Sequence, residues 1–439
     1  MSFVFERATT VHIAQVVVNS WADQSPVSDG NSVFLFDGTV YQEISNLHGW
    51  IMQNLEGSPC ADKRLNLSFG KVREIAQAIL TNDKILQPGY FDSAPTGLQT
   101  ESKFWLAKNG VIQPHKPSPQ WRQKHAWPDL KKTKPKAWLK FLGELWPEHD
   151  GQEKIDAIQQ FLGATMTRAP IQRALLLLGG GANGKSALLH CLANIVGHQH
   201  STNISPDMMQ RGNGEYYIYR LKDSRFNFCG ELSKTSFKRT ELLKSIIARD
   251  AVVGRPPYGN PQTIHPTCTH VFSTNHPLSE FEDSSFGWER RLLILGFHQR
   301  FDGRAKSFDQ IWAEIQPEVP MILAWALEGA CYTLSNQDIK PPDSSRHAME
   351  LVRMENPIED FLENACSIGG DSRSTDTYKA FCKFIQIRGH DETSWSHKKF
   401  SAALVESLSK YSRRPKSRNA NGVYFDITVK SQMDWPTIN

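Results

Sequence analysis

The chain has 439 residues, 39% of them hydrophobic and 22% charged, with a formal net charge of +4. That length predicts two to four folding units, and the balance of apolar and charged residues is that of an ordinary globular protein able to bury a core. The mild positive charge permits contact with nucleic acid without arguing for it, so any such claim rests on local clusters.

Seven cysteines, at 60, 191, 229, 268, 331, 366 and 382, form no CxxC pair and no zinc spacing with histidine. This argues against a disulfide framework or a cysteine-held metal and points to reduced thiols in a cytoplasm. The N-terminus, MSFVFERATT, carries polar and acidic residues where a secretory leader needs an apolar run. No stretch approaches the ~20 apolar residues of a membrane span, so a cytoplasmic protein with no membrane partner is expected.

Residues 1–90 read as helices around a hairpin. VFLFDGTVYQEI alternates about Asp37-Gly38, and KVREIAQAILTN has helical apolar spacing. Asn109-Gly110 marks a further turn, and the Pro/Lys-rich stretch 114–135 reads as an irregular connector. Helical patterning returns over 137–164. Short apolar strands are expected at 173–178, 225–229, 269–274 and 291–297. A helical block covers 308–334, SNQDIKPPDSSRH (335–347) reads as a linker, and the tail from Pro357 as a small helical unit ending in a strand pair within 412–430. The sequence shows no internal repeat.

The densest signal is the run Gly179, Gly180, Gly181, Ala182, Asn183, Gly184, Lys185, Ser186, which fits GxxxxGK[ST] without a mismatch. An apolar strand pattern precedes it and a helical one follows, as a phosphate-binding loop requires. Glycines let backbone N–H groups turn toward phosphates, and the helix N-terminus adds partial positive charge. Lys185 has the reach for β- and γ-phosphate oxygens, and the Ser186 hydroxyl is a Mg²⁺ ligand type, so ATP and Mg²⁺ are the expected cofactors.

Three later strands carry candidate partners. RFNFCGELSK ends in Glu231, a carboxylate suited to holding Mg²⁺ or polarising water; on its own it reads equally as a surface glutamate. Gly230 stands where many proteins with such a phosphate loop carry a second acid, which leaves the roles of metal residue and base both open for Glu231. THVFSTNHP ends in Asn275, an amide able to orient water without adding charge. FGWERRLLILGF places Arg290 and Arg291 before an apolar strand, as a solvated edge or as an arginine finger.

The order of these pieces resembles the superfamily 3 helicases, and more closely the C-terminal half of the phage and plasmid primase-helicases, which are related to the poxvirus primase-helicase. NGVIQPH, WLKFLGELW, EIQPEVPMILAWALEGA and NPIEDFLENACSI extend the similarity over nearly the whole chain. The resemblance implies an α/β fold with an AAA+-like P-loop core over 161–305, and a helical N-terminal region, 1–100, as an oligomerisation collar. It further implies a connector and lead-in over 101–160, a helical lid and linker over 306–345, and a winged-helix DNA-binding domain over 346–439. It assigns Lys185 and Ser186 to the phosphates and metal, Glu231 to the second motif and Asn275 to the polar sensor. Arg291 ahead of Arg290 becomes the finger.

The family's DNA-contacting motif falls on 244–265. There Arg255 would neutralise a phosphate and Tyr258 would stack on a base or sugar, with Lys244 a weaker candidate; composition alone favours ordinary loop residues. Lys410, Arg413, Arg414, Lys416 and Arg418 form an acid-free run, either a wing against DNA or a solvated basic face. The implied activity is ATP-dependent unwinding of single-stranded and forked DNA by a ring, a hexamer by family, in replication of a phage, plasmid or integrated element. No polymerising acidic cluster is evident over 1–130, so primase or other replication proteins are expected on separate chains. The alternative is a DNA-stimulated P-loop ATPase switch that does not unwind.

Overall fold

The computed structural model describes residues 3–61, 63–232, 240–257, 259–276, 290–301, 306–354, 357–387, 395–409, 412, 415–419, 422–431 and 435. The N-terminal unit contains α1 (Thr10–Ser20), β1 (Val27–Ser28), β2 (Val33–Phe36), β3 (Tyr41–Glu43), α2 (Leu47–Leu55), β4 (Pro59–Cys60), β5 (Lys63–Arg64) and α3 (Phe69–Leu80). The expected hairpin forms where Asp37-Gly38 predicts it. Asp37 Oδ1 accepts the Thr39 and Val40 amides at 2.8 and 2.9 Å, and Gly38 adopts φ +103°. The apolar stripes of α1 and α3 close on one core through Ile13, Val17, Val72, Ile75 and Ile79.

A second small sheet follows, antiparallel β6 (Gly97–Gln99), β7 (Phe104–Lys108) and β8 (Val111–His115). Asn109 and Gly110 join the last two with φ of +52° and +74°, the doubly left-handed turn for which that pair is suited. The connector after β8 is irregular but anchored: buried Trp127 donates its indole N–H to the Val196 carbonyl at 2.9 Å.

The central unit runs α4 (Lys136–Leu145), α5 (Gly151–Thr167), β9 (Ala174–Leu178), α6 (Lys185–Val196), β10 (Ser201–Thr202), α7 (Pro206–Gln210), α8 (Gly214–Tyr219), β11 (Phe226–Cys229), α9 (Thr240–Ile247), β12 (Val252–Gly254), β13 (Gln262–Ile264), β14 (Thr269–Thr274), β15 (Leu292–Gly296), α10 (Phe308–Ile315) and α11 (Val319–Asn336). Five strands form one sheet in the order β10-β11-β14-β9-β15, each pair parallel. Strands buried on both faces are apolar throughout, which is why β9 reads Ala-Leu-Leu-Leu-Leu. Leu175 and Leu177 enter the core shared with α5 and α6, while Ala174 and Leu176 enter the opposite core with Leu243 and Ile246 of α9.

Helices α5 and α11 touch backbone to backbone. A Cβ on Gly163 would lie 2.2 Å from the Ala326 carbonyl oxygen, and one on Gly329 would lie 2.6 Å from the Gln159 backbone. Only glycine fits at such a crossing.

The expected linker passes into α12 (Asp343–Met354), whose Ser345 hydroxyl accepts the Ile294 amide at 2.9 Å and so covers the edge of β15. The last unit is α13 (Pro357–Ala365), β16 (Cys366–Arg373), α14 (Ser374–Ile387), α15 (His397–Leu408), β17 (Lys416–Asn419) and β18 (Gly422–Val429). Its sheet is antiparallel in the order β16-β18-β17, over a core of Phe361, Phe381, Phe384, Phe400 and Phe425. Strand β16 was not legible in CSIGGDSR: two left-handed glycines and mostly exposed side chains erase the alternation. Among the described residues no helix is long and apolar enough to cross a membrane.

Candidate functional site

The loop 179–184 joins the carboxyl end of β9 to the first turn of α6, at the edge of the parallel sheet where such folds place ligands. Neighbours dictate two of its glycines. A Cβ on Gly179 would meet the Phe297 carbonyl oxygen at 2.5 Å; one on Gly184, at φ +86°, would meet Leu145 Cδ2 at 2.4 Å. Gly180 and Gly181 have nothing within 4 Å of that position, so their backbone is open on its outer side. Ala182 is left-handed at φ +56°, and its carbonyl accepts the Phe301 amide at 2.9 Å, which ties the segment after β15 across the loop.

Lys185 is 5% exposed and curls over the loop. Its Nζ donates to the carbonyls of Gly179 and Gly180 at 2.7 and 2.6 Å and to Asn183 Oδ1 at 3.0 Å. Asn183 is buried and donates through Nδ2 to the Phe297 carbonyl at 3.4 Å. Burial holds the lysine below its ordinary pKa, and the nearby Glu231 carboxylate opposes that shift. A protonated amine gripped by neutral carbonyls is one that an anion can draw outward. Ser186 is exposed at the start of α6.

Glu231 and Asn275 meet beside this loop. Glu231 follows β11 and is exposed; Asn275 follows β14, and its Nδ2 donates to Glu231 Oε1 at 3.4 Å. The Leu232 amide donates to the Ser273 carbonyl at 2.8 Å, so the ends of the two strands hold the pair together. Among the described residues no group of three or more His, Cys, Asp or Glu side chains is placed to hold a metal ion.

Arg290 and Arg291 sit elsewhere. They precede β15, and the Arg291 carbonyl accepts the Ala174 amide at 2.7 Å, at the amino end of the sheet. Arg290 is exposed. Arg291 Nε donates to the Lys244 carbonyl at 3.0 Å. Burial, then repulsion by Arg290, lowers the Arg291 pKa.

Within 244–265 the end of α9 is followed by two short antiparallel strands, β12 and β13, in which Gly254 pairs with Gln262. Arg255 follows β12; its Nε donates to the Gly259 carbonyl at 2.9 Å and its guanidinium lies 5.7 Å from the ring centroid of Tyr216. Tyr258 lies outside the described residues, and Lys244 lies on α9 with its side chain partly exposed. The aromatic partner that sequence reasoning missed is Tyr216, on α8, 37% exposed beneath Arg255. The signal for it was the tyrosine-rich GEYYIY, whose partner across 39 residues only the fold supplies. In the last unit Lys416 and Arg418 are exposed on β17; Lys410, Arg413 and Arg414 lie outside the described residues.

A family model described as "Family of unknown function (DUF5906)" matches residues 177–291, from the end of β9 to the start of β15. No curated protein matches the chain. Two solved structures of the NrS-1 C-terminal region, both apo forms, resemble it at 12% sequence identity. One covers 96% of this chain and 99% of that chain with a TM-score of 0.51; the other covers 96% and 100% with a TM-score of 0.50. The chain thus shares its overall fold with the NrS-1 C-terminal region over nearly the full length of both.

Proposed function

We propose that this chain is an ATP-dependent DNA helicase of the superfamily 3 type, with ATP bound at the 179–186 loop and the working form a ring, a hexamer by family resemblance. The observation that carries the reading is the division of candidate residues between the two ends of one parallel sheet. The glycine loop, Glu231 and Asn275 gather at the carboxyl end, and Arg291 lies at the amino end. The parallel strand order β15-β9-β14-β11-β10, with β14 between the loop strand and the acidic strand, supports an AAA+-like P-loop core.

Lys185 would leave the Gly179 and Gly180 carbonyls for phosphate oxygens, and the open backbone at Gly180 and Gly181 would donate to them. Mg²⁺ bound at Ser186 and Glu231 would supply charge neutralisation. Glu231 and Asn275, already in contact, would orient the attacking water. Arg291 would act on the ATP of an adjacent protomer.

The helix–strand–helix–helix–strand–strand order of 357–429, with its central β18, supports a winged helix whose wing carries Lys416 and Arg418. The Arg255 turn, backed by Tyr216, would face the strand being moved. The reading is tested by ATP hydrolysis and strand displacement on a forked duplex, with assembly mass measured alongside. The expected result is both activities, dependent on Lys185. Hydrolysis stimulated by DNA without displaced strand would make the chain an ATPase switch instead.

A further inference from the structure

At the amino end of the sheet, away from the glycine loop, three arginines gather around the last turn of α5. Arg225, the residue before β11, is 2% exposed. It donates to the Met166 carbonyl at 2.7 Å and to Gln123 Oε1 at 3.0 Å, with its guanidinium 5.0 Å from the Trp127 ring centroid. Arg249, which follows α9, donates to the Arg168 carbonyl at 3.1 Å. Arg168 itself ends α5 in the left-handed region at φ +59°.

A helix carboxyl end presents unpaired carbonyls and partial negative charge, which accounts for one donor from each of two guanidinium groups. Gln123 takes a further donor of Arg225, and several donors are left over. Arg168 Nε, Arg225 Nε, Arg249 Nη2 and the Nδ1 of neighbouring His200 are buried without a hydrogen-bond partner. Among the described residues no carboxylate pairs with any of the three arginines. Asp223 and Asp92 act on Arg168 only at longer range, and Asp223 pairs with Lys124 at 3.1 Å.

The surrounding imidazoles carry no charge at neutral pH. Burial, then Arg225 and Arg168, push His200 down to about 4; burial, then His200 and the same arginines, push His125 down to about 2. Buried cations with no carboxylate in direct contact are costly, and guanidinium forks match the oxygens of an oxyanion.

We propose that Arg168, Arg225 and Arg249 form a binding site for a phosphate-class oxyanion, at the opposite end of the sheet from the glycine loop. Three cations call for an anion of more than one charge with several acceptor oxygens. Arg168 and Arg249 are partly exposed and Arg225 closed off, so an anion would enter from the side of Arg168 and Arg249. Binding there is independent of whether the glycine loop hydrolyses nucleotide.

The test follows thermal unfolding of Lys185→Ala, which weakens competing binding at the glycine loop, in inorganic phosphate against chloride at constant ionic strength. Phosphate is expected to raise the midpoint by several degrees, and adding Arg168→Gln is expected to abolish the rise. If the glutamine variant fails to fold, Arg168→Lys carries the comparison with a smaller rise. A short thymidine oligonucleotide separates the sources: a rise lost with Arg168→Gln and seen only with the strand assigns the site to a backbone phosphate. No rise with either ligand, or an equal rise with and without the Arg168 substitution, overturns the proposal.

Discussion

If Arg291 completes an ATP site, the site belongs to another protomer, and the sheet supplies the reason. The Arg291 carbonyl bonds the amide of Ala174, while the loop begins at Gly179 beyond the far end of β9. At about 3.3 Å per residue the intervening strand holds them ~17 Å apart, more than twice the reach of an arginine side chain. Loss of a finger costs roughly 10³–10⁵ in rate, about 4–7 kcal/mol of transition-state stabilisation. Arg291→Ala and Lys185→Ala should each abolish hydrolysis alone. Mixed one to one in a ring, about one interface in four joins an intact loop to an intact Arg291, so roughly a quarter of the wild-type rate should return. A coupled ATPase assay on separately purified and then mixed variants reads this directly. Normal turnover by Arg291→Ala alone, or a mixture that stays dead although it assembles, refutes the shared site.

Gly163→Ala should destabilise the protein although alanine is the better helix former by roughly 0.5–1 kcal/mol. The new methyl, 2.2 Å from the Ala326 oxygen, must push α5 from α11 at about 1–3 kcal/mol. A midpoint that is unchanged or raised in calorimetry would sink this reasoning. His200 and His270 are buried, with pKa values pushed by burial down to about 4 and about 3 from the ordinary 6.5. Below pH 6.5 the unfolded chain therefore takes up protons that the folded chain refuses, and stability falls with pH. Each contributes at most ~1.4 kcal/mol per pH unit. Thermal unfolding from pH 7 to 5 should show a shallower fall for His270→Asn, and an unaltered slope would count against it. Replacing Lys416 and Arg418 by alanine should weaken DNA binding and reduce its logarithmic salt slope by about 2; an identical slope would remove β17 from the interface.

Much of the central unit was legible because its strands are buried on both faces and so appear as uninterrupted apolar runs. The four expected strands at 173–178, 225–229, 269–274 and 291–297 correspond to β9, β11, β14 and β15. Two-residue β10, Ser201–Thr202, has no such run; it is a strand only because it pairs with Phe226 and Asn227. Likewise β16 exists through its pairing with β18 across two left-handed glycines. Tyr216 and the arginine cluster were invisible for the same reason: each depends on residues distant in the chain, such as Gln123, Met166 and Arg225, arriving at one place.

The sequence by itself determined the local chemistry: a strand–glycine–helix loop with a lysine at its mouth, hairpin turns at Asp37-Gly38 and Asn109-Gly110, and acid, amide and arginine at strand ends. These follow from backbone freedom and the two-residue and 3.6-residue repeats, all set within a few positions. Only the tertiary structure decided which strand ends are neighbours. Parallel order brings Glu231 to Asn275 beside the loop and puts Arg291 a strand's length away, and it gathers Arg168, Arg225 and Arg249 around a helix end. Strand order is a long-range choice made by packing two faces of one sheet, and no local pattern encodes it.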